Sequence, residues 1–301
     1  MDRHQSYLSE IRYTLTCLMV LKKGLAMNIF VYGTLLKGMI RYPVLSGSPF
    51  SGMGFTLGRL YDLGDYPAIG NGNDLVYGEL YEIDIYKFGV LDRIEGYNPQ
   101  KIRQSLYVRK EITCTMLADG SQIDASAYFF NDSLKKYDRI IHGDYRRYKL
   151  ENLSEKQWYI AYGSNMSLSR LTERVGAPYE WTAGYLEGYQ LVFNKKADNG
   201  GVYANIAYKG IGFRCPFVAY RITAEQLSRL DRFEGEPAHY LRIGLPFPDA
   251  DGLPNIGHVY IANPGKLVQS RNPSAAYLQH IVDGYKEHGF ETGSLSIGAT
   301  N

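Results

Sequence analysis

The chain contains the same two patterns twice, in the same order. A run of apolar residues that ends in Tyr-Gly occurs at positions 30–35 (FVYGTL) and again at 160–165 (IAYGSN). The pattern Leu-Asp-Arg-x-Glu-Gly occurs at 91–96 and again at 230–235. The Tyr of the first pattern and the Glu of the second are 63 positions apart in the first copy and 72 in the second. This self-similarity predicts two tandem copies of one small domain.

The length of 301 residues accommodates two such domains. A polar, charged stretch at positions 145–157 separates the copies and indicates a boundary near Ser154. The predicted organisation is an N-terminal extension at 1–26, a first domain at 27–153, a second domain at 154–290 and a flexible tail at 291–301. Met27 directly precedes the first strand signal, so residues 1–26 are interpreted as a non-essential extension; a degenerate signal peptide is the alternative.

The charge distribution argues against a nucleic-acid partner. The formal net charge is +2, and basic and acidic residues are interleaved along both halves without a basic block. A small-molecule partner is the better expectation. The apolar stretch at 15–21 is too short to span a membrane, so no membrane association is expected.

The three cysteines, Cys17, Cys114 and Cys215, are widely spaced and form no Cys-x-x-Cys pair. This spacing disfavours a disulfide framework or a zinc site, and it fits a reducing cytoplasm.

The hydrophobic pattern predicts an α+β class, with a sheet or small barrel and one helix before the Glu-Gly pattern of each copy. Strands are predicted where β-branched and aromatic residues cluster: 28–32, 76–83, 107–115 and 125–130 in the first copy, and 158–162, 190–194, 217–222, 240–245 and 257–262 in the second.

A carboxylate lies on the apolar stripe of the helix in each copy. Glu95 follows Phe88 and Leu91 at helical spacing, and Glu234 follows Leu227 and Leu230. Low dielectric and the negative end of the helix dipole both raise the pKa of a carboxyl group in the last turn of a helix. A raised pKa suits a general acid/base at neutral pH. The alternative is that each Glu reaches the solvent or pairs with a nearby arginine, and the duplication favours the functional interpretation.

The Tyr-Gly turn after the first strand of each copy is a second candidate feature. Successive backbone N–H groups in such a turn form a concave site that suits an anionic group, although the motif alone is weak.

These residues resemble the γ-glutamylcyclotransferase-like superfamily across both copies. The first copy resembles the small bacterial and γ-glutamylamine-type members through positions 30–38 (FVYGTLLKG), 76–81 (VYGELY) and 142–145 (HGDY). The second is more similar to γ-glutamylcyclotransferase itself, through 159–166 (YIAYGSNM) and 201–206 (GVYANI). The resemblance implies two tandem α+β domains, each a small mixed β-barrel or sheet with a few helices.

The resemblance also implies an enzyme, an amide-type C–N lyase or acyl transferase that releases 5-oxoproline from a γ-glutamyl group. The substrate amine attacks its own γ-carbonyl, so no protein nucleophile, metal or cofactor is demanded. Glu95 and Glu234 would move the proton. Substrate-binding roles are implied for Tyr32, Gly33, Thr34, Leu35, Tyr107 and Tyr128 in the first copy, and for Tyr162, Gly163, Ser164, Asn165, Met166, Tyr240 and Tyr260 in the second.

Several alternatives stay open at this level. The second copy has Phe217 where the strand signature of the first has Gly78, and this ring either narrows the second pocket or only adjusts packing. The leaving group is undetermined among amines, amino acids, peptides such as glutathione, isopeptides and antibiotics. The rival function is a binding or scaffold protein with one or both pockets degenerate. The two copies could also pack against each other as an internal pseudo-dimer.

Overall fold

The computed structural model describes residues 26–198, 200–249 and 251–295, so the predicted extension lies almost entirely outside the described residues. The chain folds into two α+β domains, as predicted. The first contains β1 (Met27–Val31), β2 (Phe50–Asp62), β3 (Pro67–Ile83), α1 (Ile85–Ile94), β4 (Tyr107–Met116), β5 (Gln122–Phe130) and β6 (Asp138–Arg139), and is followed by α2 (Tyr145–Leu153). The second contains β7 (Lys156–Ala161), α3 (Leu168–Val175), β8 (Glu180–Glu187), β9 (Tyr189–Lys196), β10 (Val202–Tyr208), β11 (Arg214–Thr223), α4 (Ala224–Glu234), β12 (Tyr240–Pro248), β13 (Pro254–Ala262) and α5 (Ala275–Glu287).

The first five strands close into a barrel. The strand order is β3-β1-β5-β4-β2, and pairing between β2 and β3 completes the ring. The central strand β1 pairs antiparallel with β3 and parallel with β5. Closure removes the exposed strand edges, and it leaves the carboxyl end of β1 at the mouth of the barrel.

The central strand of the second domain has the same neighbours as that of the first, but the hairpin that follows it is different. Its central strand β7 pairs antiparallel with β11 and parallel with β13, as β1 does with β3 and β5. The long β2–β3 hairpin of the first domain is replaced by four strands, of which β9 and β10 form a separate two-stranded sheet. The sequence analysis missed β2, β8 and β10, because glycine, polar residues and charged residues interrupt their apolar patterns.

The helices that precede the Glu-Gly patterns begin as the sequence predicts. Asp84 caps α1 by accepting a hydrogen bond from the Lys87 amide, and Thr223 forms a capping box with Gln226 at the start of α4. Both helices are followed by a glycine at positive φ, Gly96 or Gly235, which terminates the helix without steric cost.

The polar stretch predicted as a boundary is a helix packed between the domains. In α2, Arg146 and Arg147 are buried. Arg146 forms an ion pair with the buried Glu79 of the first domain and donates a hydrogen bond to the Gly244 carbonyl of the second. The preceding Asp144 caps α2 and accepts a hydrogen bond of 2.7 Å from the Gly244 amide. The partners of Arg146 lie 67 and 98 positions away in the sequence, so no local pattern indicated its burial.

The C-terminal region is more ordered than expected. The helix α5 was not predicted, and Leu295 is buried in the core of the second domain. The predicted tail is therefore packed as far as Leu295, and positions 296–301 lie outside the described residues. No helix among the residues that the structure describes is long and apolar enough to cross a membrane.

The tight contact at Gly244 generates a stability prediction. An added Cβ at this position would overlap the Cβ of Arg146 and lie 2.9 Å from the Arg147 backbone nitrogen. We expect Gly244→Ala to destabilise the protein by about 1–3 kcal/mol, because packed backbone must shift. Thermal unfolding measures the change. Gly89→Ala is the matched control, since a Cβ there meets open space within a helix and should be neutral or stabilising; equal melting temperatures for the two variants would contradict the prediction.

Candidate active site

A cavity opens at the mouth of the first barrel, where the Tyr-Gly turn meets the end of α1. Its volume is about 220 Å³. Glu95, the C-cap residue of α1, contributes the only carboxylate of its lining. The lining also includes every predicted site residue of the first copy: Tyr32, Gly33, Thr34, Leu35, Tyr107 and Tyr128.

Two tyrosine hydrogen bonds fix the end of α1 relative to the turn. The Tyr32 hydroxyl donates to the Tyr128 carbonyl at 2.6 Å, and the Tyr128 hydroxyl donates to Asp92 Oδ1 at 2.6 Å. Arg109 supports Asp92 with contacts of 3.0 Å to both carboxylate oxygens. Because Asp92 precedes Glu95 by less than one helical turn, this clamp also positions Glu95.

The second copy contains the same clamp. The Tyr162 hydroxyl donates to the Tyr260 carbonyl at 2.5 Å, and the Tyr260 hydroxyl donates to Asp231 Oδ1 at 2.6 Å. Arg242 lies 2.9 Å from the same Asp231 oxygen. The arrangement of Tyr, Asp and Arg around each helix end is thus duplicated.

The two glutamates differ in their surroundings. Burial raises the pKa of Glu95 to about 7, and the positive charge of Arg41 opposes this rise. No group of the described chain donates a hydrogen bond to the Glu95 carboxylate. Burial also raises the pKa of Glu234, whereas Arg174 and Asn165 oppose it with contacts of 3.2 and 2.9 Å to Oε1. Among the described residues, the first carboxylate therefore has a nearby cation but no hydrogen-bond donor, and the second is held by two donors.

The Tyr-Gly turns present free backbone amides to both cavities. The amides of Thr34 and Leu35 make no hydrogen bond within the described chain, and those of Ser164 and Asn165 make none either. Met166 does not belong to this set: its amide is bonded to the Gly163 carbonyl, and its side chain is fully buried away from the cavities. Its apolar side chain is part of the domain core instead.

Tyr107 and Tyr240 occupy equivalent positions, although they follow their glutamates at different distances in the sequence. Each begins the strand after the helix, two residues before the arginine of the clamp. The Tyr107 hydroxyl donates to the Pro67 carbonyl at 3.0 Å, and the Tyr240 hydroxyl donates to the Ala204 carbonyl at 2.7 Å. Both rings therefore form a wall of their cavity.

Both copies are similar to one known protein family. The family model for gamma-glutamyl cyclotransferase, AIG2-like proteins matches residues 29–147 and again residues 159–279. The chain belongs to this family. The double match also confirms the two tandem copies.

Relatives of this family are similar to parts of the chain. A Vibrio cholerae serotype O1 protein provisionally named gamma-glutamylcyclotransferase is 39% identical over 69 residues, which span 22% of this chain and 60% of that protein. The gamma-L-glutamyl-butirosin B gamma-glutamyl cyclotransferase of Niallia circulans is 30% identical over 135 residues, 43% of this chain and 84% of that enzyme. The crystal structure of YkqA from Bacillus subtilis, 23% identical, has the same fold, with a TM-score of 0.68 over 87% of this chain and 92% of that chain.

The second copy of the cyclotransferase fold has two adjoining cavities at Glu234. A narrow inner one of about 30 Å³ is lined by Gly163, Ser164, Asn165 and five tyrosines: Tyr159, Tyr162, Tyr240, Tyr260 and Tyr277. A wider outer one has a volume of about 590 Å³. Glu234 lines both, so it stands at their junction.

Phe217 lines neither cavity of the second copy. Its ring is fully buried against Phe247. In the first copy a Cβ at Gly78 would overlap the Phe30 ring, and strand register places Ile160 at the position of Phe30. The phenylalanine ring thus belongs to β11 in the second copy and to β1 in the first copy. This difference adjusts the packing of the core and does not narrow the second pocket.

The sequence analysis missed the clamp carboxylates and the cationic partners of the glutamates. Asp92 and Asp231 occupy the same position of the repeated Leu-Asp-Arg-x-Glu-Gly pattern. This repetition could have identified them as candidate site residues. Arg41 and Arg174 carried no such signal, because they follow their Tyr-Gly turns at different distances.

The raised pKa of Glu95 predicts a pH-dependent effect on stability. Because the folded-state pKa is about 7 and the ordinary value 4.5, ionisation of Glu95 opposes folding as the pH rises through 7. We expect Glu95→Gln to raise the free energy of unfolding by about 1–3 kcal/mol at pH 8 and to have little effect at pH 4.5. Thermal unfolding at both pH values measures this difference. The exposed Glu82→Gln is the control, and a Glu95→Gln effect independent of pH would refute the prediction.

Proposed function

We propose that the protein cyclises γ-glutamyl compounds to 5-oxoproline with release of an amine or amino acid. One observation supports this proposal most strongly. In each copy a buried carboxylate, Glu95 or Glu234, lies beside a Tyr-Gly turn whose backbone amides make no hydrogen bond within the described chain. Membership of the gamma-glutamyl cyclotransferase family supports this reaction.

The proposed reaction forms one C–N bond and breaks another. The α-nitrogen of the γ-glutamyl group attacks the γ-carbonyl carbon, and the bond from that carbon to the leaving nitrogen breaks. The α-ammonium group loses two protons as it becomes the lactam N–H, and the leaving nitrogen gains two protons and departs as an ammonium group. Glu95 or Glu234 accepts a proton from the first nitrogen and delivers it to the second. The attack is intramolecular, so the main task of the protein is to fold the substrate and move this proton.

The turn amides suit the anionic and carbonyl oxygens of the γ-glutamyl group. Thr34 and Leu35 in the first copy, and Ser164 and Asn165 in the second, would donate these hydrogen bonds. The rings of Tyr107 and Tyr240 would confine the substrate in its folded conformation. The partner in this proposal is a small molecule and not a nucleic acid or a membrane, and no cofactor takes part.

A cytoplasmic location also remains part of the proposal. Cys114 and Cys215 are free and buried, as suits a reducing compartment, and Cys17 lies outside the described residues.

Substitution of the glutamates tests the proposed chemistry. With γ-glutamyl amino acids, γ-glutamyl amines and glutathione as substrates, we expect Glu95→Gln and Glu234→Gln each to abolish the contribution of one copy. The double variant should lose 5-oxoproline release by about 10²–10⁴-fold, because Gln cannot transfer the proton. Chromatographic measurement of 5-oxoproline provides the readout.

The exposed Glu82→Gln is the control and should retain wild-type rates. Unchanged release by the double variant would exclude these glutamates as the acid/base groups. Absence of release from the wild type with every substrate would favour a binding or scaffold protein.

The pH dependence of the first copy provides a separate test. In Glu234→Gln, only Glu95 can act, and it must be ionised to accept the proton. Because burial raises the pKa of Glu95 to about 7, we expect kcat/KM to rise as the pH increases through about 7. The other titratable groups that line this cavity are Arg41, Tyr32, Tyr66, Tyr107 and Tyr128. A kcat/KM already constant above pH 5 would contradict this assignment.

A further inference from the structure

The outer cavity of the second copy is strongly cationic. Its lining contains the basic side chains Arg170, Arg174, Lys195 and Arg232, against the two carboxylates of Glu234 and Asp198. The cavity of the first copy has one cation, Arg41, and one carboxylate, Glu95. The two sites therefore differ by a net charge of two, although their inner arrangements match.

Much of this positive charge has no carboxylate partner. Lys195 is only 4% exposed, and its Nζ lies 3.0 Å from His239 Nδ1. Arg170 contacts His280 Nε2 at 3.0 Å, and its own Nε is buried without any hydrogen-bond partner in the described chain. A histidine side chain supplies no negative charge in either protonation state, so these contacts do not neutralise the two cations. The two carboxylates of the lining, Glu234 and Asp198, are shared among four cations, and Asp198 lies 3.8 Å from His239 Nε2. The excess of positive charge in this cavity indicates a site for an anionic ligand.

Three of the four cations lie on segments specific to the second copy; Arg232 corresponds to Arg93 of the first copy, which does not line the first cavity. Arg170 and Arg174 lie on α3, and Lys195 lies on β9 of the separate two-stranded sheet. His280 comes from α5, which follows the last strand. Between β1 and β2, the first copy has only the short 3-10 helix Tyr42–Leu45 at the place of α3. The additional elements thus build the outer cavity next to the same arrangement of Tyr-Gly turn, clamp and glutamate.

We infer that the second copy acts on γ-glutamyl compounds whose leaving group carries at least two carboxylates. This inference rests on the proposed function. With the γ-glutamyl group at the turn of Gly163, the leaving nitrogen lies near Glu234, and the rest of the leaving group extends into the outer cavity. Arg170, Lys195 and Arg232 then face its carboxylates. Charge-assisted hydrogen bonds of this kind are stronger than neutral ones, so each carboxylate adds both affinity and discrimination.

Three substrates that differ in leaving-group charge test this inference. γ-Glutamylglutamate and γ-glutamylglutamine have nearly the same size but two and one leaving-group carboxylates, and γ-glutamylpropylamide has none. In Glu95→Gln, where only the second copy can act, we expect kcat/KM to fall about tenfold or more with each carboxylate removed. In Glu234→Gln, which reports the first copy, this order should be absent.

The arginines of α4 provide a matched pair of variants. Both Arg232 and Arg229 are exposed on the same helix, but only Arg232 lines the outer cavity, and Arg229 pairs with Glu225. In the Glu95→Gln background, Arg232→Gln should reduce the kcat/KM ratio of γ-glutamylglutamate to γ-glutamylglutamine several-fold. Arg229→Gln should leave this ratio unchanged. Arg170→Gln should reduce the ratio further, and circular dichroism verifies that each variant is folded.

The outcomes separate this inference from the proposed function. Release of 5-oxoproline by Glu95→Gln with equal kcat/KM for the three substrates would overturn the charge preference and leave the cyclotransferase function standing. Loss of all release in Glu95→Gln, with activity retained in Glu234→Gln, would also overturn the inference. No release from any substrate by the wild type would refute the proposed function and the inference with it.

Discussion

The structure of both sites depends on the tyrosine clamp that joins the first strand, its parallel neighbour (β5 or β13) and the helix end. The Tyr32 and Tyr162 hydroxyls donate to the backbone of this neighbouring strand, whose tyrosines in turn donate to Asp92 and Asp231. Parallel pairing of β1 with β5, and of β7 with β13, brings these residues together. The buried hydroxyls would be costly without partners, so the clamp constrains the helix to end beside the Tyr-Gly turn. The position of each glutamate follows from that constraint.

The same helix end raises the pKa of both glutamates. A carboxyl group at the C-terminus of a helix meets the negative end of the dipole and loses contact with water, and both effects favour its protonated form. Only the charge of Arg41 offsets this cost for Glu95 among the described residues, whereas Glu234 has contacts with Asn165 and Arg174. The two copies thus share one scaffold, but the charges around their glutamates differ. The proposed difference in leaving group extends this difference to the outer cavity of the second copy.

The domains are held together by a buried polar contact as well as by apolar packing. The ion pair of Glu79 and Arg146 lies between them, and the amide and carbonyl of Gly244 complete it. An unpaired charge at this depth would be strongly destabilising, so the contact fixes how α2 lies on β12. The close approach requires glycine at position 244, because any side chain there would collide with α2.

The sequence by itself determined the repeat, the α+β class, the capped helices and the positions of Glu95 and Glu234 on their apolar stripes. These features are local or periodic, and periodicity and capping depend on residues within a few positions of one another. Only the tertiary structure decided that α2 is an interdomain helix, that Met166 belongs to the core and that Arg170, Lys195 and Arg232 surround one cavity. Each of these depends on partners from distant elements, and no local pattern specifies which distant charge or ring a side chain will meet when the chain folds.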